Sequence, residues 1–357
     1  MDGLQMKALV LEDYHRLVYR DVPMPACGPE EVLVEVKACG ICGSDVHGMD
    51  GSTGRRIPPV IMGHEAAGAI VQVGTEISGW HEGDRVTFDS TISCGRCHYC
   101  RQGRINLCDD RRVLGVSCEE YRQDGALAEY VAVPQHILYR LPEGMTYVQA
   151  TMVEPVSIAV HAVGRTPVKL NDTALVVGAG TIGLLAIQAL RVAGCGRIIA
   201  VDLDQRRLAL AQTLGAEVVI QVDGTNGQLP ETVAQVQALS EGRGADVAIE
   251  AVGLSSTLEL ATRGVRKGGS LTLIGNLQPR TDLLLQSVVT RELTLYGSCA
   301  SQGEYPACLE MIARGAIDVD ALISAVASLP EGASWFKRLY EGREGLMKVI
   351  LQPGRDL

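Results

Sequence analysis

Thr173-Ala-Leu-Val-Val177-Gly178-Ala-Gly180-Thr181-Ile182-Gly183 decides the fold. An apolar run typical of a buried strand feeds G-x-G-x-x-G, and an amphipathic stretch follows over 184–192. The next apolar run, 197–201, ends at Asp202, an acidic residue roughly 20 positions on, as the dinucleotide fingerprint requires. Gly178 permits the tight turn, Gly180 lets a pyrophosphate approach, and Gly183 allows close helix–strand packing. Thr181 and Ile182 would open the helix, whose free N–H groups and dipole favour phosphate. Asp202 can accept from the adenosine ribose and would repel a 2′-phosphate, so NAD is expected rather than NADP. Arg207 is a further cofactor-binding candidate; with Arg206 it is the feature that would favour NADP. The plain alternative is a glycine-rich turn that binds no nucleotide.

Working outward, strands are expected at 217–220, 246–250, 270–274 and 293–296, which completes a six-stranded doubly wound α/β sheet. Before about residue 147 the texture differs. Short strands at 7–11, 32–39, 66–73 and 84–88 are broken by turn residues such as Pro58-Pro59 and Gly83-Asp84. That pattern predicts a partly open β-barrel or sandwich. A helix over 305–314 is expected to return to this first domain.

The chain has 357 residues, enough for two domains, and is 46% hydrophobic and 21% charged. Only 4% is aromatic, so the core must be mostly aliphatic. The net charge of −10 argues against nucleic acid or an anionic membrane as partner. No apolar run approaches ~18 residues, so no membrane span is expected. The N-terminus lacks a basic region followed by an apolar one, so no secretory signal is expected. Eleven cysteines without such a signal point to the cytoplasm, where clustered thiols bind metal or do redox work.

Two motifs carry chemistry in the first domain. One is Gly40-Ile41-Cys42-Gly43-Ser44-Asp45-Val46-His47, followed by Gly63-His64-Glu65. Singly, a cysteine or histidine is most often a packed or hydrogen-bonded residue. Together, thiolate, imidazole and carboxylate suit Zn²⁺, with Glu154 as another candidate ligand. Three protein ligands and one open position mark a catalytic zinc. The second motif is Cys94-x2-Cys97-x2-Cys100-x7-Cys108, whose four thiolates can close a structural zinc shell. An iron–sulfur run would need a fourth cysteine three residues on, then proline, and 101–104 offers neither. His98 is surplus to a shell already filled by four sulfurs. Cys39 and Cys42 also spell C-x2-C, but the glycines and polar residues after them predict a loop rather than the helix of a redox pair.

These motifs together resemble the zinc-dependent medium-chain dehydrogenases over essentially the whole chain. The resemblance is to the sorbitol (polyol) and threonine dehydrogenase branch, because Glu154 stands where simple alcohol dehydrogenases of the family carry a second cysteine ligand. It implies a GroES-like catalytic domain over 1–152 and 297–357, with the structural zinc loop at about 92–110. A Rossmann NAD-binding domain over 153–296 would interrupt it, with the active site in the cleft. Cys42 and His64 would be ligands of the catalytic zinc, with Glu65 and Glu154 competing for the remaining place. Asp45 would orient His64, and Ser44 and His47 would carry the alcohol proton outward, leaving the carbinol to give hydride to NAD. The implied substrate is a polyol or sugar-derived secondary alcohol, and the implied assembly a tetramer or dimer. One departure stands out: Ala300-Ser301 occupies the place of an Arg-Tyr pair that contacts polyol hydroxyls, so sorbitol itself is not singled out. Threonine 3-dehydrogenase activity is one alternative. The other is a catalytically silent NAD-binding sensor, which would have no need of Cys42, His64, Glu65, Ser44 and His47.

Overall fold

A computed structural model describes residues 3–118, 122–224, 228–342 and 345–354. The strands in chain order are β1 (Gln5–Asp13), β2 (Arg16–Pro23), β3 (Glu31–Gly40), β4 (Val60–Ile61), β5 (Glu65–Val73), β6 (Arg85–Phe88), β7 (Thr91–Ile92), β8 (Arg112–Val113), β9 (Tyr130–Pro134) and β10 (Leu138–Arg140). Then come β11 (Thr173–Val177), β12 (Arg197–Asp202), β13 (Val218–Gln221), β14 (Ala245–Glu250), β15 (Val265–Leu273) and β16 (Thr294–Gly297), followed by β17 (Ile323–Ser328) and β18 (Lys348–Gln352). The chain divides into two compact units: Met1–Glu154, Ser301–Arg314 and Val319–Leu357 form one, and Pro155–Ala300 with Gly315–Asp318 the other.

The first unit is β-rich and GroES-like. Its larger sheet runs β10-β6-β5-β3-β18-β17, with β9 also on β3; a smaller sheet runs β2-β1-β4. β3 pairs antiparallel with β5 and with β18, so chain segments from both ends of the sequence meet on one strand. The core is aliphatic, as the composition demanded: Leu9, Leu11, Val32, Val34, Met62, Ile70 and Leu127 are buried in it, with Phe88 and Phe336 as its only phenylalanines. The helix Tyr305–Ala313 belongs to this unit, and Tyr305 stacks on Tyr139 with centroids 4.8 Å apart.

The second unit is a doubly wound parallel sheet in the order β13-β12-β11-β14-β15-β16. Its central strands read as continuous apolar runs because helices cover both faces. Residues Ala174 to Val177, Ile198 to Val201 and Val247 to Ile249 are almost wholly buried. The strand order reverses between β11 and β14, which is where such sheets take their ligands.

One expected element differs. The residues after Cys42 form a helix, Gly43–Gly48, not a loop. Glycine and serine have weak helix propensity, but burial of Asp45, Val46 and Gly48 holds this short segment in place. Cys39, the other half of the C-x2-C pair, is fully buried in β3, and burial pushes its thiol well above the usual range. That environment suits an inert cysteine, not a redox partner.

Candidate metal centres and cofactor site

Cys42 ends β3's extension and sits at the N-cap of Gly43–Gly48. His64 and Glu65 enter through Gly63, whose φ of +94° is left-handed. A Cβ on Gly63 would press on Leu127 and Cys39, so only glycine lets the chain turn there into β5. Among the described residues, ligand atoms of Cys42, His64 and Glu65 all lie within 4.8 Å of one another. Glu154 is buried beside them and accepts from Ser90 Oγ at 3.4 Å. Asp45 Oδ2 faces His64 Nδ1 at 3.4 Å. Ser44 Oγ donates to Cys42 Sγ at 3.3 Å. His47 lies three residues further along the same helix and is exposed.

Charge decides what this pocket can hold. Burial pushes Glu154 up to about 8, opposed by His64 and reinforced by Glu65 and Cys42. Burial likewise pushes the Cys42 thiol up to about 11, with Glu65 adding to it. Lys348 Nζ grips both Glu65 oxygens, at 2.6 and 2.7 Å, and reaches the Ile41 carbonyl at 3.3 Å. Burial works against the Lys348 charge, yet Glu65 and Cys42 overcome it and hold the ammonium above its ordinary range. Arg56, equally buried, pairs with Asp45 at 2.7 Å. The thiolate of Cys42 and the carboxylates of Asp45, Glu65 and Glu154 are thus four potential anions facing two cations. A dication balances them, and a mixed sulfur, nitrogen and oxygen donor set suits zinc. The residues present fit the ion.

The four-cysteine loop forms the second group, with Cys94, Cys97, Cys100 and Cys108 sulfurs all within 4.8 Å of one another. Backbone amides aim at the sulfurs: Cys94 N donates to Cys108 Sγ at 3.2 Å, and Cys100 N to Cys97 Sγ at 3.5 Å. Amide donors from Cys100 and Asp109 draw Cys97 down to about 7, while burial pushes Cys108 up to about 12. Four sulfurs converging without any disulfide fit a closed tetrahedral shell. His98 turns away and contacts Gln102 at 3.1 Å.

In the second unit, Gly180 is the N-cap of the helix Thr181–Val192, so Thr181 and Ile182 form its first turn. A Cβ on Gly183 would meet the Gly178 carbonyl oxygen, whereas one on Gly180 would meet nothing within 4 Å. The first contact explains the tight helix–strand packing; the second leaves an open cradle for a phosphate. Gly178 itself has φ +96°. At the end of β12, Asp202 Oδ2 accepts from Ala179 N at 2.6 Å, and Oδ1 from Asp204 N at 2.9 Å. The carboxylate is therefore fixed against the glycine-rich turn. Arg206 is drawn to Asp204 at 3.1 Å, while the buried Arg207 Nε has no hydrogen-bond partner.

Three contributors to the first site lacked a sequence signal. Lys348 is an isolated cation in sequence, Arg56 is the second of an Arg55-Arg56 pair in a loop, and Ser90 is one serine among many. Only their burial beside carboxylates marks them.

A GroES-like unit with a three-donor pocket and a four-thiolate loop, joined to a dinucleotide-binding sheet, defines a zinc-type dehydrogenase. Residues 28–143 match the alcohol dehydrogenase GroES-like domain, and residues 181–314 match the zinc-binding dehydrogenase domain. The chain is 32% identical over 354 residues to a sorbitol dehydrogenase of Bacillus subtilis, covering 98% of each chain. It is 36% identical over 304 residues to an L-idonate 5-dehydrogenase of Vitis vinifera, covering 84% of this chain and 82% of that one. A solved zinc-binding dehydrogenase from Sinorhizobium meliloti, bound to NADP, superposes with a TM-score of 0.88 at 32% identity, covering 98% of this chain and all of that one. The chain belongs to the zinc-binding, medium-chain alcohol dehydrogenase family and is an oxidoreductase.

Proposed function

We propose that the protein oxidises a secondary alcohol of a polyol or sugar-derived substrate to the ketone, with NAD as hydride acceptor. The observation that carries this reading is the convergence of Cys42, His64 and Glu65 in one buried, anion-rich pocket. Similarity to sorbitol and L-idonate dehydrogenases supports the substrate class. A zinc ion held there would supply Lewis-acid polarisation of the alcohol oxygen, lowering the cost of losing its proton. Cys42 and His64 would hold it, with Glu65 or Glu154 as the carboxylate ligand. A second zinc held by Cys94, Cys97, Cys100 and Cys108 would staple their loop. Asp45 Oδ2, 3.4 Å from His64 Nδ1, would accept from it and leave Nε2 as the donor atom to the metal. Lys348 balances the Glu65 charge and holds the carboxylate in place through both of its oxygens.

In the relay Ser44 Oγ would take the alcohol proton while turning its own hydroxyl hydrogen from Cys42 Sγ outward and releasing it, and His47, on the exposed side of the same helix, would receive that proton and hand it to water. Gly180, Thr181 and Ile182 take the pyrophosphate. Asp202 takes the adenosine ribose, and its carboxylate disfavours a 2′-phosphate. Arg207 Nε, buried without a partner, can donate to the cofactor. We further propose a homo-oligomer, a dimer or tetramer, working in the cytoplasm; eleven cysteines outside any disulfide favour a reducing compartment.

The test is cofactor reduction over a panel of hexitols, pentitols, hexonates and phosphorylated hexitols, with threonine and NADP as comparators. NADH formation from a polyol, lost when the metal at Cys42 is removed, is expected. Full turnover after removal of that metal would end the reading. Turnover of threonine alone would reassign the substrate, and tight NADH binding with no turnover would favour a sensor.

A further inference from the structure

Arg56 is among the largest side chains that the protein buries almost completely, with 2% exposed. It lies in the loop after the helix Gly43–Gly48 and runs beneath that helix. A Cβ on Gly48 would strike its stem, so the missing side chain makes the room. The guanidinium makes three contacts. Nε and Nη2 both donate to Asp45 Oδ1, at 2.9 and 2.7 Å, and Nη2 also donates to Ser44 Oγ at 3.3 Å. Each recipient in turn faces a residue of the three-donor pocket. Asp45 Oδ2 lies 3.4 Å from His64 Nδ1, and these two buried atoms, neither with a hydrogen-bond partner, face each other. Ser44 Oγ points at Cys42 Sγ.

A buried ion pair is weak evidence of a stabilising role, since an apolar pair of similar volume often does as well. The contacts of Arg56 have a narrower logic. Its planar fork aims N–H groups at two residues in fixed directions, whereas the ammonium of a lysine is a point charge with rotatable donors. We propose that Arg56 is a positioning residue of the metal centre, holding in one rigid fork both the carboxylate that orients His64 and the hydroxyl beside Cys42. This rests on the reading of Cys42 and His64 as metal ligands. With Oδ1 doubly engaged, Asp45 offers Oδ2 to His64. An imidazole that turns an Nδ1–H to this oxygen presents a bare Nε2. With one Ser44 lone pair taken by Arg56, the hydroxyl can accept one further hydrogen bond, from the alcohol, while its own hydrogen points to Cys42 Sγ.

The test compares wild type, Arg56→Gln and Arg56→Lys, each purified with its metals. Zinc per chain is followed during timed exposure to a chelator, and visible spectra are recorded after cobalt replaces the more labile ion. NADH titration and thermal melting report on folding. Arg56→Gln should release one zinc roughly 10–100-fold faster than wild type and keep the other. Arg56→Lys should fall between the two, and both should bind NADH as wild type does. Unchanged release and unchanged cobalt spectra in both variants would overturn the proposal, and Arg56→Lys alone decides if the glutamine variant fails to fold. Wild type that holds metal only in its four-cysteine loop would remove the ligand reading itself, and the proposal with it, before any variant is compared.

Discussion

Lys348 shows what a single buried residue can cost. It is 2% exposed and its ammonium holds a carboxylate that is itself fully buried. Lys348→Met should leave the Glu65 charge unpaired and lower the unfolding free energy by roughly 3–5 kcal/mol, read from urea denaturation. The double variant Lys348→Met, Glu65→Gln should recover part of that loss; a single variant as stable as wild type would show that Glu65 finds its balance elsewhere. Asp89 makes a pH prediction. Burial pushes it up to about 6, although the Thr91 N–H and the Ser301 hydroxyl both favour its charged form. An unfolded aspartate titrates near ~4, so the folded chain binds this proton more tightly. Its contribution is full below about pH 4 and is lost as pH rises to about 6, on the order of 2–3 kcal/mol in all. Asp89→Asn removes the ionisation, so its melting temperature relative to wild type should climb between pH 4.5 and 7. The potential donor groups of Cys42, His64 and Glu65, which the fold brings together, were readable because each carries its chemistry in its own side chain. Lys348 and Arg56 were not, because a lysine or arginine in sequence is a surface residue until something buries it.

Among elements, the strand–turn–helix from Thr173 to Val192 was the most legible. Three glycines, an apolar strand and an acidic residue each constrain the backbone locally, so spacing alone carries the geometry. Gly183→Ala tests that local logic. Its new Cβ would meet the Gly178 carbonyl and push the helix from the strand. NADH affinity should fall at least ~10-fold and the sheet unit should lose about 1–3 kcal/mol, with zinc content unchanged. A variant that binds NADH as wild type does, by fluorescence titration, would contradict that placement. Less legible was the turn after β14, where buried Glu250 accepts from Val252 N, Gly253 N and Thr257 Oγ at 2.8–2.9 Å. An acid at a strand end has no signature until the loop folds back over it. Gly43–Gly48 was also misread, since its helix depends on burial that propensity does not see.

For the whole molecule, the open edge of the parallel sheet matters most. β16 pairs only with β15 among the described strands, and Leu283, Leu285 and Val289 in the segment that precedes it in sequence are exposed, two of them by about two thirds. Edge strands with apolar surroundings invite pairing with another copy. Leu285→Asp combined with Val289→Asp should shift the sedimenting species to a smaller assembly while far-UV circular dichroism stays unchanged; an unaltered assembly would place the interface elsewhere. The sequence by itself determined the α/β sheet, its glycine-rich turn, the four-thiolate loop and the donor types of the metal pocket, because each rests on spacing between near neighbours or on intrinsic side-chain chemistry. Tertiary structure alone decided which charges balance which. Glu65 meets a lysine 283 positions away, and Asp45 an arginine across a loop. A buried charge takes its partner from whatever the packed chain places within reach, and that distance is written nowhere in the order of residues.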